Sequence, residues 1–323
     1  MPYLCGMQSP PAFLDSGRPN VPDLVIPRGI VPFYLPGRPV RGRLVRLGTL
    51  ADALLTRHDN QPAVTRLAGQ ALALTAALAG ALKFQGSFSL QAKGDGVVSM
   101  LLADCTDTGA LRGYAKADPA RLALLGRNPS AAALLGRGYL AFTVDQGPDT
   151  ERHQGIVAIE GLTLAEMALH YFATSDQLQC TVQLACELTD GGWRAGALIL
   201  ERVATEGGIQ DDSGHGGDED GDEAWRTATT LAATLTDAEL LDDRVSSEDL
   251  LYRLFGTEGV AADRARALAY GCRCSRQRLS GILATFPQDD LDHMTEEGAI
   301  TMTCEFCNIG FRFTPDEVPR IGT

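Results

Sequence analysis

The chain has 323 residues, 45% of them apolar and 21% charged, and a formal net charge of −13. That length and composition accommodate one sizeable domain with a real core plus a smaller one. The acidic balance argues against a nucleic-acid partner, which calls for a basic face. The longest uncharged run, Leu67 to Leu82, is 16 residues, short of the ~20 that cross a bilayer. With no basic-then-apolar leader visible, a soluble cytoplasmic protein with no membrane partner is expected.

Residues 1–39 carry nine of the sixteen prolines. Proline removes a backbone donor, so neither helix nor central strand is expected there. The segment reads as a Pro-rich N-terminal arm, its first part mobile, with Cys5 as an exposed, non-functional thiol.

From residue 40 the pattern becomes regular, and residues 40–205 read as one α+β domain with a mainly antiparallel sheet packed with helices. Val40 to Leu47 mixes apolar and basic residues in rough alternation, a strand. Leu50 to His58 gives a short helix, and Val64 to Phe84 a long Ala/Leu helix buried on most sides, with Lys83 in its last turn. Ser87–Ala92 alternates, and Gly94-Asp95-Gly96, a hairpin turn rather than a phosphate loop, leads into the apolar strand Val97–Ala103. Further strands are expected at 113–116, 139–144 and 155–159. Thr163 caps a helix with Leu164, Met167, Ala168, Tyr171 and Phe172 on one face. A strand carrying Cys180, Val182, Leu184, Cys186 and Leu188 on one face follows, and Ala197 to Val203 closes the domain. Cys105, Cys180 and Cys186 read as small core residues. His58, His153 and His170 are isolated and receive no chemistry.

Residues 206–223 hold eight Asp or Glu, six Gly and no Lys or Arg. Such a stretch buries too little apolar area to order itself, so an acidic disordered loop is expected. Its spacing does not match a calcium loop. Residues 224–270 read as a metastable helical linker of two amphipathic helices. The first runs from Trp225 to Leu241. The second opens on Ser246-Ser247-Glu248-Asp249, a capping box before Leu250, Leu251, Leu254 and Phe255. Short helices of this kind take most of their stability from what they pack against.

The remaining segment, 271–323, holds four of the eight cysteines: Cys272-Arg-Cys274, 29 residues, then Cys304-Glu-Phe-Cys307. Two close pairs supply two thiolates each, as a tetrahedral four-sulfur zinc site requires. A small helix at Leu279, Ile282, Leu283 and Phe286 is expected between them, and Ile300–Cys304 with Phe311–Phe313 reads as a hairpin resembling a zinc knuckle. A unit this small rarely stands on its apolar core alone. Four sulfur ligands leave no open position for hydrolytic catalysis, so the expected chemistry is oxidation of the cluster, ejection of zinc and release of the fold. Two other readings remain open: a zinc-ribbon binding protein, opposed by the acidic charge, and a thiol–disulfide oxidoreductase. Catalytic pairs favour helix N-termini, whereas Cys304 and Cys307 fall in a predicted hairpin.

Tyr270-Gly-Cys272-Arg-Cys274-Ser275-Arg276, with Ile300-Thr-Met302-Thr-Cys304-Glu-Phe-Cys307-Asn308, resembles the signature of the redox-regulated bacterial chaperones of the heat shock protein 33 family. Val40-Arg41-Gly42, Leu82 to Gly86, Leu111-Arg112-Gly113, Gln154 to Val157 and Tyr171 to Leu178 resemble family blocks in the same order, from about Asp23 to about Thr314. The resemblance implies an ATP-independent holdase and no enzyme. It implies one zinc ion per chain, held in the reduced, inactive form by Cys272, Cys274, Cys304 and Cys307. It also implies that peroxide or hypochlorite, helped by heat, forms the disulfides Cys272–Cys274 and Cys304–Cys307, whereupon zinc is lost and the linker unfolds. Apolar surface then binds unfolded client proteins, typically as a homodimer. The acidic insertion has no fixed counterpart in the family, Cys180 stands near a usual Thr, and Asp59 to Pro62 is looser than the usual aromatic-Pro block.

Overall fold

The computed structural model describes residues 22–82, 84–126, 128–147, 150, 152–176, 178–203 and 217–318. They fall into two compact units, Asp23–Gly271 and one built on residues 272–318.

In the first unit the chain runs β1 (Val25–Tyr34), β2 (Val40–Arg46), α1 (Thr49–Leu55), α2 (Pro62–Ala81), β3 (Ser87–Gly94), β4 (Val98–Thr106), β5 (Ala110–Ala117), α3 (Pro119–Leu122), α4 (Ala131–Leu135), β6 (Gly138–Asp145) and β7 (His153–Ala158). Then come α5 (Leu164–Tyr171), a π-helical turn (Phe172–Asp176), β8 (Cys180–Thr189), β9 (Gly192–Arg202), α6 (Gly217–Ala232), α7 (Asp237–Leu241), α8 (Ser247–Phe255), β10 (Ala261–Ala262) and β11 (Arg266–Tyr270). One sheet takes ten of these strands in the order β7-β6-β3-β4-β5-β11-β1-β2-β9-β8, with β10 pairing beside β1. All pairs are antiparallel except β11 with β5, where Ala269 and Tyr270 lie opposite Ala110 and Leu111. This is the expected α+β architecture.

The uncharged Ala/Leu run becomes α2 because it is enclosed on nearly every side, from Val64 and Leu67 through Leu74 to Ala79. Pro62 does not merely break the preceding helix. It opens α2 at the first position, where its fixed φ suits a helix and its missing N–H costs nothing. Gly69 lets α2 approach β8, since a Cβ there would lie 2.2 Å from the Cys186 sulfur. At the far end, Arg266 donates to the carbonyls of Ala79 (3.4 Å) and Gly80 (3.1 Å), satisfying acceptors that a helix end leaves open. α2 is the one described helix long and apolar enough to cross a membrane, and it is enclosed by protein.

A second apolar layer lies over β1, β2, β9 and β8. Phe33, Leu35, Val40, Leu44, Leu198 and Leu200 from the sheet meet Ala228, Ala232, Leu240, Leu251, Leu254 and Phe255 from α6, α7 and α8. Phe33 and Phe255 stack with centroids 5.4 Å apart. β8 is therefore packed on both faces: Cys186 is buried on one and Ala185 on the other, while Leu188 is 63% exposed.

Four expectations are corrected. The Pro-rich arm of 1–39 supplies β1, a central strand. Pro27 falls in the register break between Ile26 and Ile30. Pro32 faces the gap between β10 and β11, where its carbonyl accepts from Asp263 N–H at 2.8 Å. Pro27 lies where pairing is interrupted, and the donor that Pro32 lacks falls where β10 gives way to β11, which is how a central strand tolerates them. The linker of 224–270 is not helical throughout, because it ends in β10 and β11, with Leu268 and Tyr270 buried at strand spacing. The helix expected from Trp225 to Leu241 is two helices. Thr236 and Glu239 form a capping box that restarts the chain as α7. The acidic loop of 206–223 contributes its last residues to α6, which starts at Gly217. Cys5, Lys83 and the rest of that loop, up to residue 216, lie outside the described residues.

The second unit contains α9 (Arg276–Leu283), α10 (Gln288–Met294), the hairpin β12 (Ile300–Thr303) and β13 (Gly310–Phe313), and a 3-10 turn at Pro315–Glu317. Leu283, Ile300 and Phe313 are its fully enclosed apolar side chains, a small set for a free-standing unit.

Candidate metal centre

Cys272 and Cys274 lie in the extended segment ahead of α9. The Ser275 hydroxyl accepts from Arg278 N–H at 3.1 Å and caps α9, so the chain enters a helix directly after Cys274. Cys304 and Cys307 lie in the turn between β12 and β13. There Asn308 N–H donates to the Cys304 carbonyl at 2.8 Å, and Cys304 N–H to Ile309 at 3.0 Å. Asn308 takes φ 54°, the left-handed conformation that asparagine tolerates better than most residues.

The four sulfurs lie within 4.8 Å of one another. Cys272 is 3.4 Å from Cys274 and 3.6 Å from Cys304, and Cys274 is 3.4 Å from Cys307. Four sulfurs at about 2.3 Å from one ion would be spaced by roughly 3.8 Å. The donor set thus fits a single four-coordinate ion, and all four predicted ligands are brought together. Cys272, Cys274 and Cys307 are buried and Cys304 is half-buried. Hydrogen bonding between thiols splits their acidities. The bond with Cys274 lowers Cys272 to about 7, and a bond with Cys272 lowers Cys304. Cys274 and Cys307 are raised, chiefly by their bonds with Cys272. A cluster with two thiols biased toward thiolate attracts a soft cation.

Around the sulfurs, Arg276 braces the unit. It pairs with both Glu317 oxygens at 2.7 Å, donates to the Arg312 carbonyl at 2.8 Å and lies 4.6 Å above the Phe313 ring. Among the described residues, the other cysteines do not join the cluster. Cys105 and Cys186 are buried in the sheet domain and Cys180 is half-buried on β8. Burial pushes the Cys186 thiol up to about 12, with Glu187 adding to the effect.

Sequence reasoning missed the residues that hold the helical cover on the sheet. From β2, Arg46 donates to the carbonyls of Leu240 (2.9 Å), Asp242 and Val245, gripping the turn between α7 and α8. Arg194 on β9 pairs with Asp243 in the same turn at 2.6 Å. The signal was visible in Val40-Arg-Gly-Arg-Leu-Val-Arg46, where arginines interrupt a strand otherwise fit for a core.

The family model described as Hsp33 protein matches residues 29–314. The 33 kDa chaperonin of Caulobacter vibrioides is 39% identical over 291 residues, spanning 88% of this chain and 93% of that protein. The 33 kDa chaperonin of Pseudomonas paraeruginosa is 34% identical over 284 residues, spanning 87% and 90%. Among solved structures, the 33 kDa chaperonin of Thermotoga maritima superposes with a TM-score of 0.71 at 22% identity, covering 90% of this chain and 96% of its own. That likeness speaks to the fold.

Proposed function

The chain belongs to the Hsp33 protein family, a family of chaperones, and from that premise we propose that it is a cytoplasmic, ATP-independent holdase gated by oxidation of its four-cysteine centre. The observation that carries this reading is the convergence of Cys272, Cys274, Cys304 and Cys307 at one point, in a chain whose linker helices cover an apolar sheet face. No catalytic turnover is invoked, so the protein is not an enzyme in this reading.

In the reduced state Cys272, Cys274, Cys304 and Cys307 would hold one zinc ion. When bound, the ion supplies a crosslink of roughly 10–16 kcal/mol, against a typical domain stability of about 5–15 kcal/mol. The half-buried Cys304 is the sulfur an oxidant reaches first. Its thiolate attacks one peroxide oxygen, giving a sulfenic acid and hydroxide. A neighbouring thiolate displaces a second hydroxide and closes the disulfide. Two peroxides thus take four electrons from four thiolates. The proposed pairs, Cys272–Cys274 and Cys304–Cys307, follow the family resemblance.

Oxidised sulfurs no longer bind the ion, and the unit of 272–318 loses its crosslink. The helices α6–α8, which the chain joins to that unit through β10 and β11, then loosen. Departure of α6–α8 uncovers Phe33, Val40, Leu44, Leu198 and Leu200, a face suited to unfolded client proteins, and two such chains associate as a homodimer. A cytosolic setting, where thiols stay reduced until stress, suits this device.

The test measures bound zinc, free thiols and suppression of client aggregation, before and after mild peroxide at elevated temperature. Loss of one zinc and four thiols together with gain of holdase activity is expected. Equal client protection in both states, or absence of zinc in the reduced protein, overturns the gating.

A further inference from the structure

Away from the metal centre and from the helix-covered face, the first unit holds a cavity of about 650 Å³ beside strand β7. That volume lies within the ~300–1,000 Å³ of small-ligand sites. Four aromatic rings form part of its wall, beside Arg152, His153 and Glu201. Phe142 lies 4.4 Å from Tyr171 and 6.1 Å from both Phe88 and Phe172, centroid to centroid. Gly155 is what admits the Tyr171 ring, because a Cβ on Gly155 would lie 2.4 Å from it. The π-helical turn Phe172–Asp176 forms part of the wall, and such turns gather at functional sites. Leu82 and Leu178 stand at the mouth, 41% and 43% exposed.

β7 is also a terminal strand of the sheet. Ile159 N–H donates to Gly138 of β6, so alternation turns the main-chain groups of His153, Gly155 and Val157 toward β6. Those of Gln154, Ile156 and Ala158 turn outward, and among the described residues no backbone group pairs with them. Native edges are normally blunted by charge, proline or a bulge. β7, with the sequence His-Gln-Gly-Ile-Val-Ala, carries none of these. An open edge calls for an extended chain, and a ring-lined pocket on the same strand calls for an aromatic side chain from it.

We propose that the β7 edge and its adjoining cavity form a preformed binding site for an extended polypeptide segment bearing an aromatic residue. The segment's main chain adds to β7 and its ring enters among Phe88, Phe142, Tyr171 and Phe172. This deepens the chaperone reading and rests on it: the β7 site gives an extended segment a first contact in either redox state, while protection from aggregation still requires the face beneath α6–α8.

The probe is a blocked, fluorescently labelled hexapeptide of alternating Thr and Val with one central Phe, titrated into the reduced, zinc-loaded full chain. Companion peptides carry Ala for Phe, or N-methyl groups on alternate amides. Two variants leave the core intact. Ile156→Pro removes an outward N–H without breaking a β6–β7 bond, and Ala81→Trp fills the cavity mouth from an exposed position. Each change, in peptide or protein, is expected to weaken binding roughly tenfold, the loss of one good contact, with the thermal midpoint unchanged. No binding by the reduced wild type, or equal binding by both variants, overturns the proposal. Holdase activity of the peroxide-treated wild type is measured in parallel. If that activity is present while the peptide result is negative, the β7 site alone falls. If that activity is absent, the chaperone reading falls with it.

Discussion

Replacing Arg46 by Ala should loosen the helical cover while leaving the metal centre loaded. The Arg46 guanidinium gives three hydrogen bonds to the carbonyls of Leu240, Asp242 and Val245, all on one turn of the linker. A hydrogen bond from a charged donor is worth about 1.5–3 kcal/mol. Burial of Arg46 opposes its charge and lowers its pKa, with Asp243 and Asp242 partly compensating, and water can reach the vacated carbonyls in this turn. The net loss should therefore be about 2–4 kcal/mol rather than three full bonds. Since 1.4 kcal/mol is a factor of ten, opening of α7 and α8 should rise by roughly 30- to 700-fold. Hydrogen exchange reads this directly: amides of 237–255 should lose protection, while those of α2 keep theirs. In a reduced sample with zinc and four thiols intact, client protection should appear without oxidant. Arg46→Lys, with a point charge in place of a planar fork, should recover only part of the effect. Unchanged exchange in α7 and α8, or an equal loss in α2, would refute the idea of a local latch.

Phe255→Ala removes a fully enclosed ring stacked on Phe33 and should cost about 3–5 kcal/mol in chemical denaturation. Cys186 should resist iodoacetamide in the native state at pH 8 while Cys304 in the metal-free protein reacts, as mass spectrometry of digests would show. Because burial holds the Cys186 thiol up at about 12, above an ordinary thiol at about 8.5, its contribution to stability is full below that ordinary value. It is lost as pH rises toward 12, so a Cys186→Ala variant should show a flatter alkaline limb. Chelation of the metal under reducing conditions should unfold residues 272–318 and leave the β3–β4 and β2–β9 ladders protected, measured by hydrogen exchange.

Much of this architecture is legible in the sequence where a single local rule decides. Alternation around Gly94-Asp95-Gly96 yields the β3–β4 hairpin, the uncharged Ala/Leu run yields α2, and the two cysteine pairs converge as their spacing anticipates. The misses occur where a distant partner decides. Pro27 and Pro32 argue against a strand until the interrupted pairing of β1 with β10 and β11 removes the need for their N–H groups. Arg266 to Tyr270 looks like the tail of a helical linker. Its place between β5 and β1 depends on strands more than 150 residues away. The break after Ala232 was local: Thr236 and Glu239 form a capping box like that of Thr163 and Glu166, where the sequence shows the Thr163 cap.

The sheet's two covers are built differently, and the difference bears on which one can leave. α2 presents no charged residue from Leu67 to Ala81 and is enclosed on nearly every side up to Ala79, so lifting it would expose apolar surface on helix and sheet alike. The opposite cover consists of short amphipathic helices pinned at their rims. Besides Arg46 and Arg194, Arg28 pairs with Glu248, Arg38 with Glu258 and Arg202 with Asp222. Exposed pairs of this kind contribute about 0–1 kcal/mol each and weaken with salt. They fix where the cover sits more than how tightly it holds. What resists removal is the apolar seam around Phe255, together with the chain's continuity into β11. A cover held by the Arg46 latch and one apolar seam, with only weak pairs at its rims, can lift while the sheet beneath it stands, whereas α2 cannot leave without dissolving the domain.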